Sequence, residues 1–422
     1  MYRKTVLDNG LRVLTTLMPH TRSVGMGIFT GVGSRYETEA ERGISHFIEH
    51  MMFKGTERRP DAQQIAEAIE GLGGVMNANT NNEVTSYWAK VAHHHLPVAL
   101  DVLLDLFRHS KLEPQEIERE RQVIIQEISA LMDMPDSWVH MLIAQLVWPE
   151  HPIGWETAGT KESVTGISRQ DMLDYIASTY TPGNTVISLA GKLDHDKVLE
   201  QLVQELESWE PRSARPFLPA TAAPPGPSLR VEFRNTEQAH LCVGTRGLSM
   251  KDPDRFKLRV LNVILGEGMS SRLFLEIRER RGLAYSVGSY ASYLRDSGAI
   301  VLYAGVPPQK AVDVVGAMME QLDRLRQQRV PAAELSKAKE FTKGRILLRM
   351  EDTFANAQWF GQQEVLDQEV LTVDQVIEEL DAVTSDDVQE VAKRLFATEG
   401  LNLAAIGPFE EDQSFRARLS LK

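Results

Sequence analysis

Hydrophobic and polar positions along the chain form two successive series of elements, each of which mixes short strands with long helices. In the first series, alternating or short apolar runs predict strands at 11–14, 24–29, 75–78, 85–91 and 185–189. Helical periodicity in the same series predicts helices from about 43, over 61–72, from 95 to about 131, onward to 180, and from 194.

The second series repeats this order. It predicts strands at 229–234, 240–245, 284–293, 299–304 and 401–406, and helices at 255–265, 270–281 and 308–349. The strands are grouped with long helices and do not follow strict βαβ alternation, which favours an α+β fold. We therefore predict two related domains, each a mainly antiparallel sheet packed with long helices.

A proline-rich segment separates the two series. Residues 211–227 contain six prolines and little periodicity, which is typical of a semi-rigid connector. The expected organisation is a first domain over 1–210, a linker over 211–227 and a related second domain over 228–422.

Composition narrows the class of protein. The 422 residues are 42% hydrophobic and 25% charged, which suits a globular protein with more than one core. The formal net charge of -13 argues against a nucleic-acid partner, because phosphates would be repelled. No stretch is apolar enough to span a membrane and the N-terminus has no apolar secretion segment, so the default expectation is a cytoplasmic protein without a membrane partner.

The segment His46–Phe47–Ile48–Glu49–His50 carries the clearest chemical signal. Two histidines four residues apart on a helix point the same way, so both imidazoles can reach one metal ion. Glu49 lies beside the second histidine, in the reverse of the better-known zinc-protease order. A solvated helix face is the alternative. The motif alone favours a metal site, and a third ligand would strengthen it greatly.

Candidates for the third ligand must be His, Asp or Glu, because Cys242 is the only cysteine. Residues 113–128 predict a helix whose apolar face includes Ile124, and Glu120 and Glu127 lie seven positions apart on that stripe. A carboxylate on a core-facing stripe is costly unless it is paired or bound to metal. We favour Glu127 as the ligand and Glu120 as the residue that supports it.

Other interpretations stay open at this point. Glu120 could instead pair with Arg121 or Arg42, and Glu116 could simply be solvated. The triplet at 93–95 is all histidine, but adjacent residues diverge around a helix and cannot chelate one ion from one face. A polar turn before a helix is the simpler interpretation of that triplet.

Four ordered segments together resemble the pitrilysin/insulinase metallopeptidases, and in particular the shorter subfamily of mitochondrial processing peptidase and its bacterial relatives. Residues 43–56 resemble the family's inverted zinc motif, and residues 73–80 resemble its active-site edge strand. Residues 120–127 resemble the helix with the distal zinc ligand. Residues 271–285 resemble the second-half segment with a substrate-binding Arg/Tyr pair. The resemblance covers nearly the whole chain.

The resemblance implies a zinc-dependent metalloendopeptidase that cleaves short or unfolded peptides inside a closed chamber. One zinc ion per chain would be bound by His46, His50 and Glu127, and Glu49 would act as general base on a metal-activated water. Arg278 and Tyr285 would hold the substrate backbone or stabilise the oxyanion. On residue type alone, they are an arginine in a charged run and a tyrosine that opens a strand.

Asn77 and Ala78 would present an open strand edge, to which a peptide substrate binds as an added strand. The alternative is a plain strand after a Gly-Gly turn, although the polar run 77–82 favours an accessible edge.

The second series has no histidine where the repeat would place the metal motif, over 261–269, so its domain is expected to be metal-free. In the family, heterodimers divide the metal motif and the Arg/Tyr pair between two subunits, whereas this chain carries both. A homodimer is the resulting expectation. The rival functions are a non-catalytic scaffold or partner subunit of a processing-peptidase-like complex, and a hydrolase of non-peptide substrates.

Overall fold

The computed structural model describes residues 2–222, 226–366 and 369–422, and within them the chain forms two separate β-sheets with helices packed on them. The strands, in chain order, are β1 Tyr2–Val6, β2 Arg12–Leu17, β3 Ser23–Thr30, β4 Val75–Thr80, β5 Thr85–Ala92, β6 Thr185–Gly191, β7 Ser228–Phe233, β8 Ala239–Arg246, β9 Ser286–Tyr293, β10 Gly298–Val306 and β11 Asn402–Gly407.

The α-helices of the first half of the chain are α1 Ile44–Met52, α2 Ala62–Glu70, α3 Leu96–His109, α4 Pro114–Asp133, α5 Pro135–Val147, α6 Lys161–Gly166, α7 Arg169–Thr179 and α8 His195–Leu206. Those of the second half are α9 Arg255–Gly266, α10 Ala311–Gln327, α11 Ala332–Arg349, α12 Thr353–Val365, α13 Val373–Ala382, α14 Ser385–Leu395 and α15 Gln413–Arg416. A π-helix spans Phe274–Arg280. None of the described helices combines the length and apolar character needed to cross a bilayer.

The two sheets share one topology. The first has the order β1-β2-β6-β3-β5-β4 and the second the order β7-β11-β8-β10-β9. In each, one parallel pair (β2 with β6, β7 with β11) is followed by three antiparallel pairs. The shared order confirms the predicted α+β class and the relationship between the halves. The described part of the second sheet has no counterpart of β1.

The compact units differ from the predicted division in two segments. The first unit consists of the described parts of residues 1–129, 156–218 and 347–372, and the second of the described parts of 130–155, 219–346 and 373–422. Each unit therefore contains one helix from the other half of the sequence. Helix α5 packs on β8 and β11 of the second sheet, and α12 packs on β3 and β6 of the first.

Glycines allow these two helices to approach their sheets closely. A Cβ atom at Gly25 of β3 would lie 2.4 Å from the backbone of Phe354 in α12, and one at Gly244 of β8 would lie 2.8 Å from the side chain of Ile143 in α5. Only glycine fits at such contacts, because a real Cβ would overlap the helix. The local helix and strand patterns do not reveal that α5 and α12 pack on these sheets. The predicted domains were therefore contiguous in the sequence.

The connector at 211–227 has no helix or strand in its described part, as its composition predicts. Two of its prolines, Pro224 and Pro225, lie outside the described residues. Within the first unit its early part is held in place, because Arg215 forms a paired contact with Glu41 (2.7 and 2.9 Å) and Phe217 stacks against the Arg35 guanidinium.

Other elements differ from the prediction in detail. Strand β1 was not predicted, since Arg3 and Lys4 interrupt its apolar pattern. The helix expected over 270–281 forms, but as a π-helix over most of its length. Helices α12, α13 and α14 follow the last predicted helix and were not anticipated.

Candidate metal centre

Helix α1 carries the histidine motif, and its start is fixed by local geometry. Gly43 precedes it with φ near 90°, where a Cβ would lie 2.5 Å from the carbonyl oxygen of Ala158. The buried carboxylate of Glu37 accepts hydrogen bonds from the backbone N–H groups of Gly43 (2.9 Å) and Ser45 (3.0 Å). Burial is the main cause that raises the pKa of Glu37 to about 7. These contacts set the rotation of α1 and hence the direction of its histidines.

The three ligands predicted from the sequence come together. His46, His50 and Glu127 each offer one ligand atom, and these atoms lie within 4.8 Å of one another. The two imidazole rings are 4.6 Å apart between centroids, one helical turn along α1. Among the described residues, this is the one group of three or more His, Cys, Asp or Glu side chains that could hold a metal ion.

Glu120 orients the second histidine. Its Oε2 lies 3.1 Å from Nδ1 of His50, while its Oε1 lies 2.7 Å from Nζ of Lys54. A carboxylate on Nδ1 leaves Nε2 of the imidazole to face a metal, which is the arrangement found behind many metal-bound histidines. Neither alternative partner of Glu120 is used, because Arg121 pairs with Glu118 and Arg42 with Glu39.

The surroundings of Glu127 differ from the prediction. Glu120 is 7% exposed, as a core-facing position should be, but the side chain of Glu127 is 46% exposed. The two share a helical face, yet His50 and Lys54 cover that face only at Glu120. Glu127 reaches the site from its open side, with Oε2 3.6 Å from Nε2 of His50.

The donor set fits zinc. Burial, with a smaller contribution from His50, lowers the pKa of His46 to about 4, so its imidazole is neutral and free to bind a metal at pH 7. Among the described residues, the buried Nδ1 of His46 has no hydrogen-bond partner. Two imidazoles and a carboxylate are a known ligand set for catalytic zinc.

Glu49 lies beside the ligands and is not one of them. The Thr80 hydroxyl on β4 donates a short hydrogen bond to its Oε2. Burial is the largest influence and raises the pKa of the Glu49 carboxyl, opposed by the Thr80 hydrogen bond and the nearby His50, while Glu127 adds to the rise. A half-buried carboxylate with a raised pKa is suited to accept a proton near neutral pH.

A cavity of about 310 Å³ opens next to these groups, and its lining includes Glu49, His50, Glu120 and Asn77. Asn77 lies on β4, which is the edge strand of the first sheet. Asn77 is exposed and Ala78 is half-buried, and the Ala78 N–H donates to Oδ1 of Asn77 (2.8 Å). The predicted edge strand is therefore next to the predicted metal ligands.

The second unit brings the Arg/Tyr pair together. The guanidinium of Arg278, on the π-helix, lies 5.1 Å from the ring centroid of Tyr285 and 4.9 Å from that of Phe274. Tyr285 is 72% exposed, so the pair presents both an aromatic ring and a cation to solvent.

In chain order, helix α9 follows β8 and precedes β9, as α1 follows β3 and precedes β4. Strands β8 and β9 have the positions in the second sheet that β3 and β4 have in the first. The buried polar residue of α9 is Asn262, which accepts a hydrogen bond from Ser289 on the edge strand β9 (2.7 Å). This contact matches the one between Glu49 and Thr80, with an amide in place of the acid.

Sequence comparison places these features in a family. The model described as Insulinase (Peptidase family M16) matches residues 12–161, and that described as Peptidase M16 inactive domain matches residues 166–341. A protein named uncharacterized zinc protease YmxG from Bacillus subtilis is 37% identical over 97% of this chain and 98% of its own. The chain belongs to the M16 peptidase family. An uncharacterized zinc protease of Streptomyces coelicolor is also 37% identical, over 98% of this chain and 91% of its own.

Solved structures agree with the M16 fold. A protease from Helicobacter pylori superimposes with a TM-score of 0.90, covering 97% of this chain and 99% of that one, at 23% sequence identity. At this identity the match concerns the fold alone. His46, Glu49, His50 and Glu127 lie within the first matched segment, and Arg278 with Tyr285 within the segment matched by the inactive-domain model.

Sequence reasoning missed two residues of this M16 site. Thr80 holds Glu49, and Lys54 covers Glu120. Both lie inside the quoted motifs, at the end of the edge strand and just after the metal helix. A signal for Lys54 was available, since a lysine one turn beyond His50 can reach the carboxylate that supports His50.

Proposed function

We propose that this protein is a zinc-dependent metalloendopeptidase that cleaves short or unfolded peptides. The observation that carries the proposal is the convergence of His46, His50 and Glu127 beside the carboxylate of Glu49. The zinc protease names of its full-length relatives support the same conclusion.

The two histidines and Glu127 would hold one zinc ion per chain, with Glu120 fixing the orientation of His50. Zinc, when bound, lowers the pKa of its water toward neutrality and polarises the scissile carbonyl. Glu49 would take a proton from the attacking water and later give one to the leaving amine. Its raised pKa suits both directions of transfer, and Thr80 keeps the carboxylate in place between them.

The substrate would bind in extended form along β4. An added strand is held by main-chain hydrogen bonds at Asn77 and Ala78, which gives affinity with little sequence preference. Folded proteins rarely offer a free extended segment, so short or unfolded peptides fit this mode best. Arg278 and Tyr285 would hold the substrate backbone or stabilise the oxyanion.

A homodimer would complete this site, with the metal centre of one chain acting together with the Arg278–Tyr285 pair of a second chain. Sedimentation equilibrium, run with peptidase assays at the same protein concentrations, tests this assembly. Activity should rise and fall with the dimer fraction. A fully active monomer would exclude the assembly.

The central test measures zinc content and peptide cleavage on the same samples. Wild-type protein should contain about one zinc per chain, and should cut an unstructured peptide at sites that mass spectrometry can map. His50→Gln should lose both properties. His94→Gln, which changes a histidine of the 93–95 turn, is the matched control and should retain both. A wild type that neither binds zinc nor cleaves would favour the non-catalytic partner subunit.

A further inference from the structure

A second cavity, of about 300 Å³, lies in the second unit between the π-helix and helices α10 and α11. Four arginines and two glutamates line it, which is a local excess of positive charge in a chain with a net charge of -13: Arg272, Arg280, Arg324, Arg329, Glu276 and Glu334. The volume is at the small end of ligand sites in proteins. An acidic protein that concentrates guanidinium groups in one cavity offers a site for an anion.

One buried donor in this cavity has no partner. Gln321 is 2% exposed and is among the lining residues, and within the described residues its Nε2 makes no hydrogen bond. A buried polar atom left without a partner costs free energy, so such atoms call for an explanation such as a bound ligand. Gln321 thus points to an acceptor atom inside the cavity independently of the arginines.

The arginines differ in how fully they are engaged. Arg272 forms a paired contact with Glu334 (2.9 and 2.7 Å), and Arg280 binds Glu276 (3.0 Å). The guanidinium of Arg324, one turn after Gln321 on α10, makes no hydrogen bond or ion pair among the described residues, although it lies near enough to Glu276 to help lower the pKa of that carboxyl. Arg324 and Gln321 therefore supply adjacent donors for one oxyanion, and the exposed Arg280 is close enough to the same cavity to join them.

The cavity shares the π-helix with the Arg278–Tyr285 pair. Leu275, Glu276 and Arg280 of this helix line the cavity, while Arg278 stacks on Phe274 and Tyr285. A π-helix is a rare conformation that occurs frequently at functional sites. An oxyanion would compete with Glu276 for Arg280, and Glu276 holds the last turn of this helix through Arg280 and Arg281.

We propose that this cavity binds a small oxyanion, carried by a phosphate or a carboxylate group, and that its occupancy changes how the π-helix presents Arg278 to the substrate. The binding part stands by itself, and the effect on substrate rests on the proposed peptidase function. Sulfate, phosphate and succinate are suitable probes, because they chelate zinc weakly and separate tetrahedral from carboxylate ligands.

Calorimetric titration of the full chain, at constant ionic strength, should detect saturable binding of at least one probe. Arg324→Gln and Gln321→Leu should each weaken that binding about tenfold, the loss of one charge-assisted or one buried contact. Arg22→Gln, which removes the same charge from an exposed position in the first unit, should bind as wild type does. Absence of saturable binding, or equal binding by all variants, overturns the proposal.

A second measurement tests the coupling. In wild type, a saturating probe should change the KM for an unstructured peptide at least twofold, and Arg324→Gln should abolish that change while keeping its own basal activity. Saturable binding with an unchanged KM would refute the coupling. A protein that binds the probe but cleaves no peptide would refute the proposed function and leave the anion site in place.

Discussion

The two units of this protein use one sheet topology but differ at the contact between their first helix and their edge strand. In the first unit, Glu49 of α1 bonds Thr80 of β4, and in the second, Asn262 of α9 bonds Ser289 of β9. Only the first has histidines beside this contact. The shared contact serves the fold, and the acid with its two histidines adds the chemistry.

The two units also differ in the acids at the N-termini of α1 and α9. The N-terminus of α1 is held by the buried Glu37, whereas the acids before α9, Asp252 and Asp254, are paired with Arg394 near the surface. Burial raises the pKa of Glu37 to about 7, while the contact with Arg394 holds the pKa of Asp252 below its usual value despite partial burial. The unit that contains the candidate metal ligands thus holds the costlier acid at the start of its helix.

The largest expected effect comes from making the first unit resemble the second. Glu49→Gln replaces the acid by an amide of the same shape and should lower the rate of peptide hydrolysis by about 10²- to 10⁴-fold, because the base is lost. Zinc content should stay at the wild-type level. Asn262→Ala cuts the matching contact in the other unit, and the folded variant should cleave at close to the wild-type rate. Equal losses of hydrolysis rate in Glu49→Gln and Asn262→Ala would contradict the view that only the first unit supplies the chemistry.

The next effect concerns stability and pH. The pKa of Glu37 is raised from its ordinary 4.5 to about 7 in the folded protein, so the folded state holds this proton more tightly than the unfolded state. Its contribution to stability is full below about pH 4.5, and is lost as pH rises through about 7, a change of about 3 kcal/mol.

Urea unfolding of wild type and Glu37→Gln between pH 4 and 8 tests this pH dependence. As pH rises, the unfolding free energy of wild type should fall relative to that of Glu37→Gln, because glutamine does not titrate. Glu39→Gln changes an exposed acid nearby and should show no such shift. A difference that stays constant with pH would show that Glu37 does not titrate in this window.

A smaller effect is expected from the residue behind the metal ligands. Glu120→Gln weakens the carboxylate contact that orients His50, and should lower zinc affinity about 10- to 100-fold. Hydrolysis should recover when zinc is added in excess. Glu118→Gln changes an exposed acid on the same helix that pairs with Arg121, and it should leave zinc affinity unchanged. A loss of activity that added zinc does not restore would indicate a direct role for Glu120 in the reaction.

The smallest effect is expected at the edge strand. Ala78→Pro removes the N–H that now bonds the Asn77 side chain, and proline is tolerated on an edge strand where the N–H faces outward. The KM for peptides should rise about 2- to 10-fold, the worth of one hydrogen bond. Asn77→Ala frees the same N–H and should not raise KM. An unchanged KM in Ala78→Pro would argue against strand addition at this position.

Much of the site could be predicted because its signals are local. The spacing of His46 and His50 fixes their direction on one helix, and the seven-residue spacing of Glu120 and Glu127 places them on one face of another. Nothing local shows how a helix is covered once it packs, so the exposure of Glu127 was not predicted. The contact between Lys54 and Glu120 was also not predicted, although the spacing of Lys54 from His50 offered a local signal for it.

The fold class was also predictable, because strand and helix periodicities differ and recur in order. The assignment of α5 and α12 to units was not. Each helix packs on a sheet formed by residues that are distant in the sequence. The sequence marks these contacts only by single glycines such as Gly25 and Gly244, and glycines or other small residues in strands are too common to identify a helix contact. Sequence order favours contiguous domains, and the chain departs from it at these two helices.

The exchanged helices have a consequence for how the protein is made. The first sheet receives α12 from residues 353–365, so the N-terminal unit cannot finish folding on the ribosome until most of the chain has emerged. Contacts this distant in sequence slow folding and leave an apolar sheet face exposed in the meantime. The same exchange means that cutting the gene at the proline-rich connector would yield two fragments, each carrying a helix that belongs to the other's sheet.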